Sequence, residues 1–355
     1  MLLKFFSYLS SLAAAISGIA VAATALPDLP EPVSNNAVAS VSIRGKTYIA
    51  SFMGIGPGKQ YSDIHNKVFM HTLGEFGWHE MPDVPSQQRL SGRIAASAVA
   101  MNNNFFIFGG FAVNADGSEQ TAADSYRFDP ITKRYTRLND IPVPVDDAVA
   151  LTYQNRYIYL ISGWSDYGNV NLVQVFDNFT QRWSQATPFP GKPVFGLAGA
   201  MADNQMLLCD GVALEYFSDK KRQYKAEPAC YLGTVGTNAN QIDWRIVPHP
   251  TGSARYRMAG INTRLNGKDV LAFIGGSHTP YNYNGIGYNG KPAEPDAKVW
   301  LYALAEQRWL SAADTTAVMD LRGLIEINGS LYSLGGMTST QQVSSKLIPH
   351  RIKLQ

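Results

Sequence analysis

Residues 94–110 read IAASAVAMNNNFFIFGG. Ile94–Ala100 alternates small apolar residues, Asn102-Asn103-Asn104 supplies a turn, and Phe105–Phe108 runs into Gly109-Gly110. Two apolar runs joined by asparagines predict a hairpin, and glycine at the end of its second strand predicts a close approach to other backbone. The same ending recurs clearly at Ser162-Gly163, Ile274-Gly275-Gly276 and Leu334-Gly335-Gly336, and in weaker form at Met53-Gly54 and Asp210-Gly211. The intervals between Gly54, Gly110, Gly163, Gly211, Gly276 and Gly336 are 56, 53, 48, 65 and 60 residues. Behind each hairpin lie two further strand patterns. In the unit just quoted they are Ser125–Asp129, closed by Pro130, and Arg134–Leu138; in the next unit Val173–Asp177 and Gln181-Arg182-Trp183 follow Val149–Tyr153 and Arg156–Ile161.

Four strands per unit and a period near fifty are the signature of kelch repeats, one propeller blade each. A propeller closes around a channel, so loops from every blade converge at its mouths. The expected fold is therefore all-β, a six-bladed kelch-type propeller, with five or seven blades as alternatives. Trp78, Tyr135, Trp183, Trp244 and Trp309 fall late in their units and are expected to pack between blades rather than to touch a ligand. The last unit offers Arg322–Ile327, Leu331–Gly336 and Lys346–Lys353 but no Trp-bearing outer strand. Leu26-Pro27-Asp28-Leu29-Pro30-Glu31-Pro32 resembles such a strand with its exit turn, so the last blade is expected to be closed by the N- and C-terminal strands, leaving no open sheet edge.

Residues 1–25 have the layout of a secretory signal: Lys4, an apolar stretch from Phe5 to Ala22, and the small-x-small site Ala23-Thr24-Ala25. The alternative is an uncleaved membrane anchor. Cleavage leaves a single kelch domain over 26–355, in the periplasm or secreted and with no membrane attachment. The chain holds 30 basic and 28 acidic residues, of which the leader takes only Lys4. A near-neutral domain of this kind lacks the concentrated positive charge that nucleic acid or an anionic membrane requires. Cys209 and Cys230 close one strand pattern and begin the next, which predicts either a disulfide between antiparallel neighbours or a buried free pair. With six scattered histidines and no Cys-x-x-Cys or His-x-His, neither a metal nor a cofactor is expected.

Two sets of loops are candidates for function. The loops that lead into each unit carry Arg93, Asp146, Asp147, Arg255, Arg257 and Arg322. Arg93, Arg257 and Arg322 at one channel mouth would clamp an anion, since a guanidinium fork matches a carboxylate; the alternatives are solvated loops or pairing between blades. The loops after the glycines carry Trp164 in the third unit and, in the fifth, Ser277–Gly290 with His278, Tyr281 and Tyr283. Tyr-, Asn- and Gly-rich segments suit polyhydroxylated ligands, and equally a surface flap or a protein-binding loop. Asp147, Trp164, His278, Tyr281 and Tyr283 join the three arginines as the expected ligand contacts.

These features together resemble the bacterial periplasmic kelch proteins of the N-acetylneuraminate epimerase (sialic acid mutarotase) family. The resemblance covers nearly the whole of 26–355: the Leu-Pro-rich start, the six repeats, Arg93, the Tyr-Asn-Gly insertion and Ala229–Trp244. It implies a sugar-directed activity, mutarotation or epimerisation of an acidic sugar such as N-acetylneuraminate, without a cofactor. The competing class is a non-enzymatic carbohydrate- or protein-binding kelch module. In the family a Glu follows the Asn-Gly of blade four and an Arg lies six residues later; here Cys209-Asp210-Gly211-Val212 stands instead. Glu215 and Arg222 are the nearest acid and base and are expected as the catalytic pair. The alternative is that Val212–Phe217 packs as an extra strand with Glu215 in solvent.

Overall fold

The asparagine turn forms as the sequence predicts. In the computed structural model, which describes residues 26–88, 90–216 and 222–355, Met101 faces Asn104 across a two-residue turn in which Asn102 and Asn103 have φ of 50° and 62°. Both central residues left-handed is the type I′ geometry, whose twist matches that of the strands it joins. Arg44-Gly45, Asn266-Gly267 and Asn328-Gly329 turn their hairpins the same way.

These hairpins open six antiparallel sheets arranged in chain order. The first holds strands Ala37–Ile43, Lys46–Ile55, Ile64–Thr72 and His79–Met81, and the second Ser97–Met101, Asn104–Phe108, Ser125–Asp129 and Arg134–Arg137. The third comprises Val149–Tyr153, Tyr157–Ile161, Val173–Asp177 and Arg182–Gln185; the fourth Ala198–Ala202, Gln205–Cys209, Cys230–Val235 and Ile242–Val247. The fifth is built from Ala259–Leu265, Lys268–Ile274, Val299–Ala303 and Arg308–Leu310, and the sixth from Ile325–Ile327, Ser330–Leu334 and Leu347–His350. The first strands of the sheets, with the residues leading into the sixth, surround one cavity of about 300 Å³ lined mainly by small side chains such as Ser40, Ser97, Ala148, Gly199 and Gly260. Larger apolar residues fill the spaces between sheets; Phe52, Phe105 and Phe128, for example, meet edge to face where the first sheet packs on the second.

The glycines act between sheets. A Cβ at Gly109 would stand 2.1 Å from the Val145 carbonyl oxygen, and one at Gly275 would stand 2.5 Å from that of Val318, each in the loop leading into the next sheet. Both residues also have positive φ, 60° and 77°. The late aromatics tie neighbouring sheets, as expected. Trp183 Nε1 donates to the Asn139 carbonyl at 2.9 Å, Trp309 to Pro248 at 2.7 Å, and the Tyr135 hydroxyl to Pro82 at 3.1 Å. Trp78 donates to Pro27 at 2.9 Å, so the N-terminal segment holds the place that an exit turn holds elsewhere.

That segment does not form the fourth strand expected of it. Residues 26–33 run beside the C-terminal strand through two backbone bonds, Leu29 N to Ser345 O and Val33 N to Ser344 O, and through the Lys346–Asp28 ion pair at 2.6 Å. Pro27, Pro30 and Pro32 have no N–H to give a ladder. The far C-terminus crosses to the fifth sheet, where Leu354 pairs with Ala312. Cys209 and Cys230 are register partners and form a disulfide, their Cα atoms 4.2 Å apart. The signal expected at 1–25 lies outside the described residues. Among the described residues no helix is long and apolar enough to cross a membrane.

Candidate functional site

In each lead-in loop one residue takes the left-handed conformation: Asn35, Ala95, Asp147, Gly196, Arg257 and Asp320, with φ of 59°, 57°, 50°, 63°, 55° and 65°. Backbone bonds link them around the axis. Asp147 N donates to Ala95 O, Gly196 N to Asp147 O and Arg257 N to Gly196 O, each at 2.9 Å, and Leu321 N donates to Arg257 O at 3.2 Å. Asn35 closes the circle with its side chain: Oδ1 accepts from Ala95 N at 2.8 Å and from an Arg322 terminal nitrogen at 2.7 Å. Residues from six points of the chain are thereby gathered in one circle, five of them with side chains.

The arginines expected to clamp an anion are engaged in protein contacts there. Arg257, 3% exposed, gives Nε and one terminal nitrogen to Asp147 Oδ2 at 3.2 and 2.7 Å, and the other terminal nitrogen to Asp320 Oδ1 at 3.0 Å. Its guanidinium also lies 4.7 Å from the Tyr256 ring centre and 5.3 Å from that of Tyr281. Arg322 pairs with Asp147 as well as Asn35. Burial works to raise Asp147, but Arg257 and then Arg322 outweigh it and hold the carboxyl below its usual range. Burial likewise opposes the charge on Arg257, and Asp147, Tyr256 and Asp320 keep it firmly protonated. Arg93 is fully buried, donating to the Pro85 carbonyl at 2.9 Å with Asp124 4.0 Å away. The pairing between blades, weighed above as the alternative, is what these three arginines do.

Beside this cluster opens a pocket of about 70 Å³, assembled from the second to fifth sheets. At ~10–15 Å³ for each water it has room for about five to seven. Its walls are aromatic: Phe111, Trp164, Phe195, Tyr224, Tyr283 and Tyr288. Tyr224 and Tyr288 stack with ring centres 3.9 Å apart, and Phe195 meets Trp164 edge-on at 5.6 Å. Phe195 lies on the short lead-in strand Val194–Phe195, paired with Val212–Ala213, and the other rings are set by short elements beyond the glycines. Phe111 lies on the hairpin Phe111–Val113/Glu119–Thr121, Trp164 on Trp164–Ser165/Gly168–Asn169, and Tyr224 on Val212–Tyr216/Arg222–Ala226. Tyr283 and Tyr288 come from the loop pinned by the Tyr281–Gly287 and Ile286–Pro292 bridges.

Two carboxyls face this aromatic space without a basic partner among the described residues. Asp146, 4% exposed, accepts from the Thr121 hydroxyl at 3.1 Å. Burial, then Asp147 and Glu119, raises it well above the usual carboxylate range. Glu119 is exposed as a residue at the rim, yet enough protein surrounds its carboxyl that desolvation raises it, with Asp147 adding and Arg257 opposing. Asn282 offers an amide, and Arg257 and Asp147 form part of the floor.

Of the expected ligand contacts, the structure therefore gathers Asp147, Trp164, Arg257 and Tyr283 at the pocket. Tyr281 lies fully buried beneath, its hydroxyl 3.5 Å from Asp320. His278 stands apart on Asp296 and Ser253, and Arg93 lies between sheets. Glu215 and Arg222 are not brought to the pocket either. Val212–Tyr216 is a strand, as the alternative had it; Glu215 pairs with Gln223 in register and its carboxylate reaches Lys192 and Lys225 at 3.6 Å, while Arg222 is exposed. Sequence reasoning missed Glu119, Phe111, Phe195, Tyr224, Asn282 and Tyr288, and left Asp146 among the loop charges; the doubled acid Asp146-Asp147 was the available signal. Cys230 lies near Asp210 and His249, but its sulfur belongs to the disulfide and His249 Nε2 bonds Asp210 at 2.7 Å.

No family model matches the chain. The solved structure of YjhT superposes with a TM-score of 0.69 over 93% of this chain and 99% of that one, at 16% identity. Kelch-like protein 15 of Gallus gallus is 23% identical over 154 residues, 43% of this chain and 30% of that protein. The fold is a kelch-type β-propeller. N-acetylneuraminate epimerase of Salmonella typhimurium is 22% identical over 257 residues, 59% of this chain and 62% of the epimerase. The homologues of this propeller are thus kelch-like proteins and N-acetylneuraminate epimerase, and the chain spans less than two thirds of the length of each of these curated relatives.

Proposed function

We propose that the chain closes as a six-bladed propeller and that its aromatic pocket binds a sugar, whose anomers Asp146 and Glu119 interconvert. Closure is supported by the six left-handed residues at one phase of the repeat, by Trp78 bonding Pro27, and by Gly336 N donating to Val33 O from the sixth sheet to the first segment. The observation that carries the functional reading is a buried carboxyl, Asp146, bonded by Thr121 and without a basic partner among the described residues, lining an aromatic pocket. Aromatic faces cover the C–H surfaces of a sugar ring, while carboxyl and amide groups meet its hydroxyls.

The chemistry is the opening and reclosing of a hemiacetal. Asp146, protonated, donates to the ring oxygen as the bond between that oxygen and the anomeric carbon breaks. Glu119, acting from the rim in its carboxylate form, takes the proton of the anomeric hydroxyl, which becomes the carbonyl of the open chain. Rotation and the reverse transfers yield the other anomer with both carboxyls restored. The narrower expectation of N-acetylneuraminate draws on the epimerase relatives; its second support, the arginine clamp, is engaged in ion pairs. The disulfide supports an oxidising compartment, periplasmic or extracellular.

NMR exchange spectroscopy on freshly dissolved reducing sugars tests the reading. The wild type is expected to speed anomer exchange and Asp146→Asn to lose roughly a hundredfold of that rate or more, the scale of one acid–base group. Equal acceleration by both moves the acid elsewhere. Acceleration by neither leaves a carbohydrate- or protein-binding kelch module.

A further inference from the structure

Resting on the sugar reading above, we infer that the pocket takes sugars without a carboxylate, uncharged or amine-bearing, and that Glu119 sets this preference. Arg257 is the one cation among the described residues lining the pocket, and all three of its nitrogens are directed to Asp147 and Asp320. Arg322, the next nearest, is directed to Asn35 and Asp147. Two cations here face two carboxylates, Asp147 and Asp320, and the core of the site is balanced before any ligand arrives.

What remains to meet a ligand is Glu119 and Asp146, neither with a basic partner among the described residues. A ligand carboxylate would find no free guanidinium and would sit against Glu119, whose charge no cation among the described residues pairs. Drawing Arg257 out to meet it would leave two buried carboxyls, Asp147 and Asp320, with Arg322 as their one remaining cation among the described residues. A hydroxyl or an ammonium group suffers neither difficulty: each donates to a carboxyl oxygen, and the ammonium adds Coulomb attraction to Glu119.

The test is titration calorimetry with three ring-matched probes at neutral pH: galactose, galactosamine and galacturonic acid, repeated with the gluco series. Glu119 is exposed on a hairpin, and the melting temperature of Glu119→Gln verifies that the variant folds. The wild type is expected to bind the amine and the neutral sugar, and the uronic acid at least about tenfold more weakly, the scale for unit charges some 10 Å apart at an effective dielectric of about 20. In Glu119→Gln the amine and the neutral sugar should bind alike, and the acid should recover several-fold. A uronic acid that binds the wild type as tightly as its neutral partner overturns the inference. An unchanged ranking in Glu119→Gln overturns the assignment to that residue. Absence of binding by all probes, in a protein that melts cooperatively, overturns the sugar reading itself and the selectivity with it.

Discussion

Replacing Arg257 with methionine tests the electrostatic core of the mouth. Methionine keeps most of the side-chain volume, so the main change is charge. Asp147 and Asp320 lose the donor that links them across 2.7 and 3.0 Å, at sites 3% and 0% exposed. Removing one partner of a buried pair costs about 3–5 kcal/mol, because the other charge stays buried and uncompensated. For the roughly 330 residues of the domain, at about 2.1 cal/mol/K per residue, the entropy of unfolding is about 0.7 kcal/mol/K, which turns that loss into a fall in melting temperature of about 4–7 °C. Scanning calorimetry reads it directly. Adding Asp147→Asn and Asp320→Asn to Arg257→Met removes the stranded charges and should recover part of the fall, which a simple packing defect would not do. Acid should narrow the deficit as well. Without Arg257, burial raises Asp147 with Arg322 and the Tyr256 hydroxyl left to oppose it, and a carboxyl whose folded pKa is raised weakens the fold as pH climbs through that pKa. A melting temperature within 1 °C of wild type would refute the reasoning, since it would mean that the cluster is solvated and the pairing immaterial.

Deleting residues 26–32 removes the Trp78 acceptor, the Leu29–Ser345 bond and the Asp28–Lys346 pair, and calorimetry should show the whole domain melting lower rather than a separate early transition; a shortened chain that melts like the intact one would refute N-terminal closure. Burial lowers His350 to about 4, with Thr315 and Ser333 bonded to its two ring nitrogens. The unfolded state therefore takes up a proton near pH 6.5 that the folded state refuses, so this residue weakens the fold progressively from pH 6.5 down to about 4. Urea denaturation across that range should show a shallower acid loss in His350→Gln than in wild type, and identical slopes would refute the assignment.

The repeat was legible because each of its signals is local. The Asn102-Asn103-Asn104 turn, the glycine pairs and the late aromatics all declare themselves within a few residues of one another, and all are found where the pattern placed them. The outer strand of the last blade was misjudged because spacing outweighed chemistry: three prolines in seven residues forbid a ladder. The site was harder for a physical reason. Asp147 lies 110 residues from Arg257 and Asp320 lies 63 away, so the ion pairs that occupy the arginines form only once the chain has gone around the axis. The pocket draws on four sheets at once, and no window of sequence holds both Glu119 and Tyr288. Glu215 followed from the spacing of an acid and a base, whereas the apolar Val212-Ala213-Leu214 describes a strand, and it became the middle strand of three, between Val194–Phe195 and Arg222–Ala226.

The circle of left-handed residues separates architecture from chemistry. Asn35, Ala95, Asp147, Gly196, Arg257 and Asp320 share a backbone conformation and nearly a common hydrogen-bond pattern, yet present an amide, a methyl, two carboxylates, a guanidinium and a hydrogen. At Ala95, Asp147 and Arg257 the position behaves as a socket: the main chain makes the bonds of the circle and the side chain is free to differ, whereas at Asn35 the side chain itself takes the Ala95 N–H. New chemistry can enter this mouth through one substitution per socket, with asparagine, aspartate and glycine the residues a left-handed socket accepts at least cost. Gly196 is the exception that shows the limit. A Cβ there would meet the Tyr256 ring at 2.0 Å, so that socket must stay empty for Tyr256 to reach Asp147 at 3.2 Å.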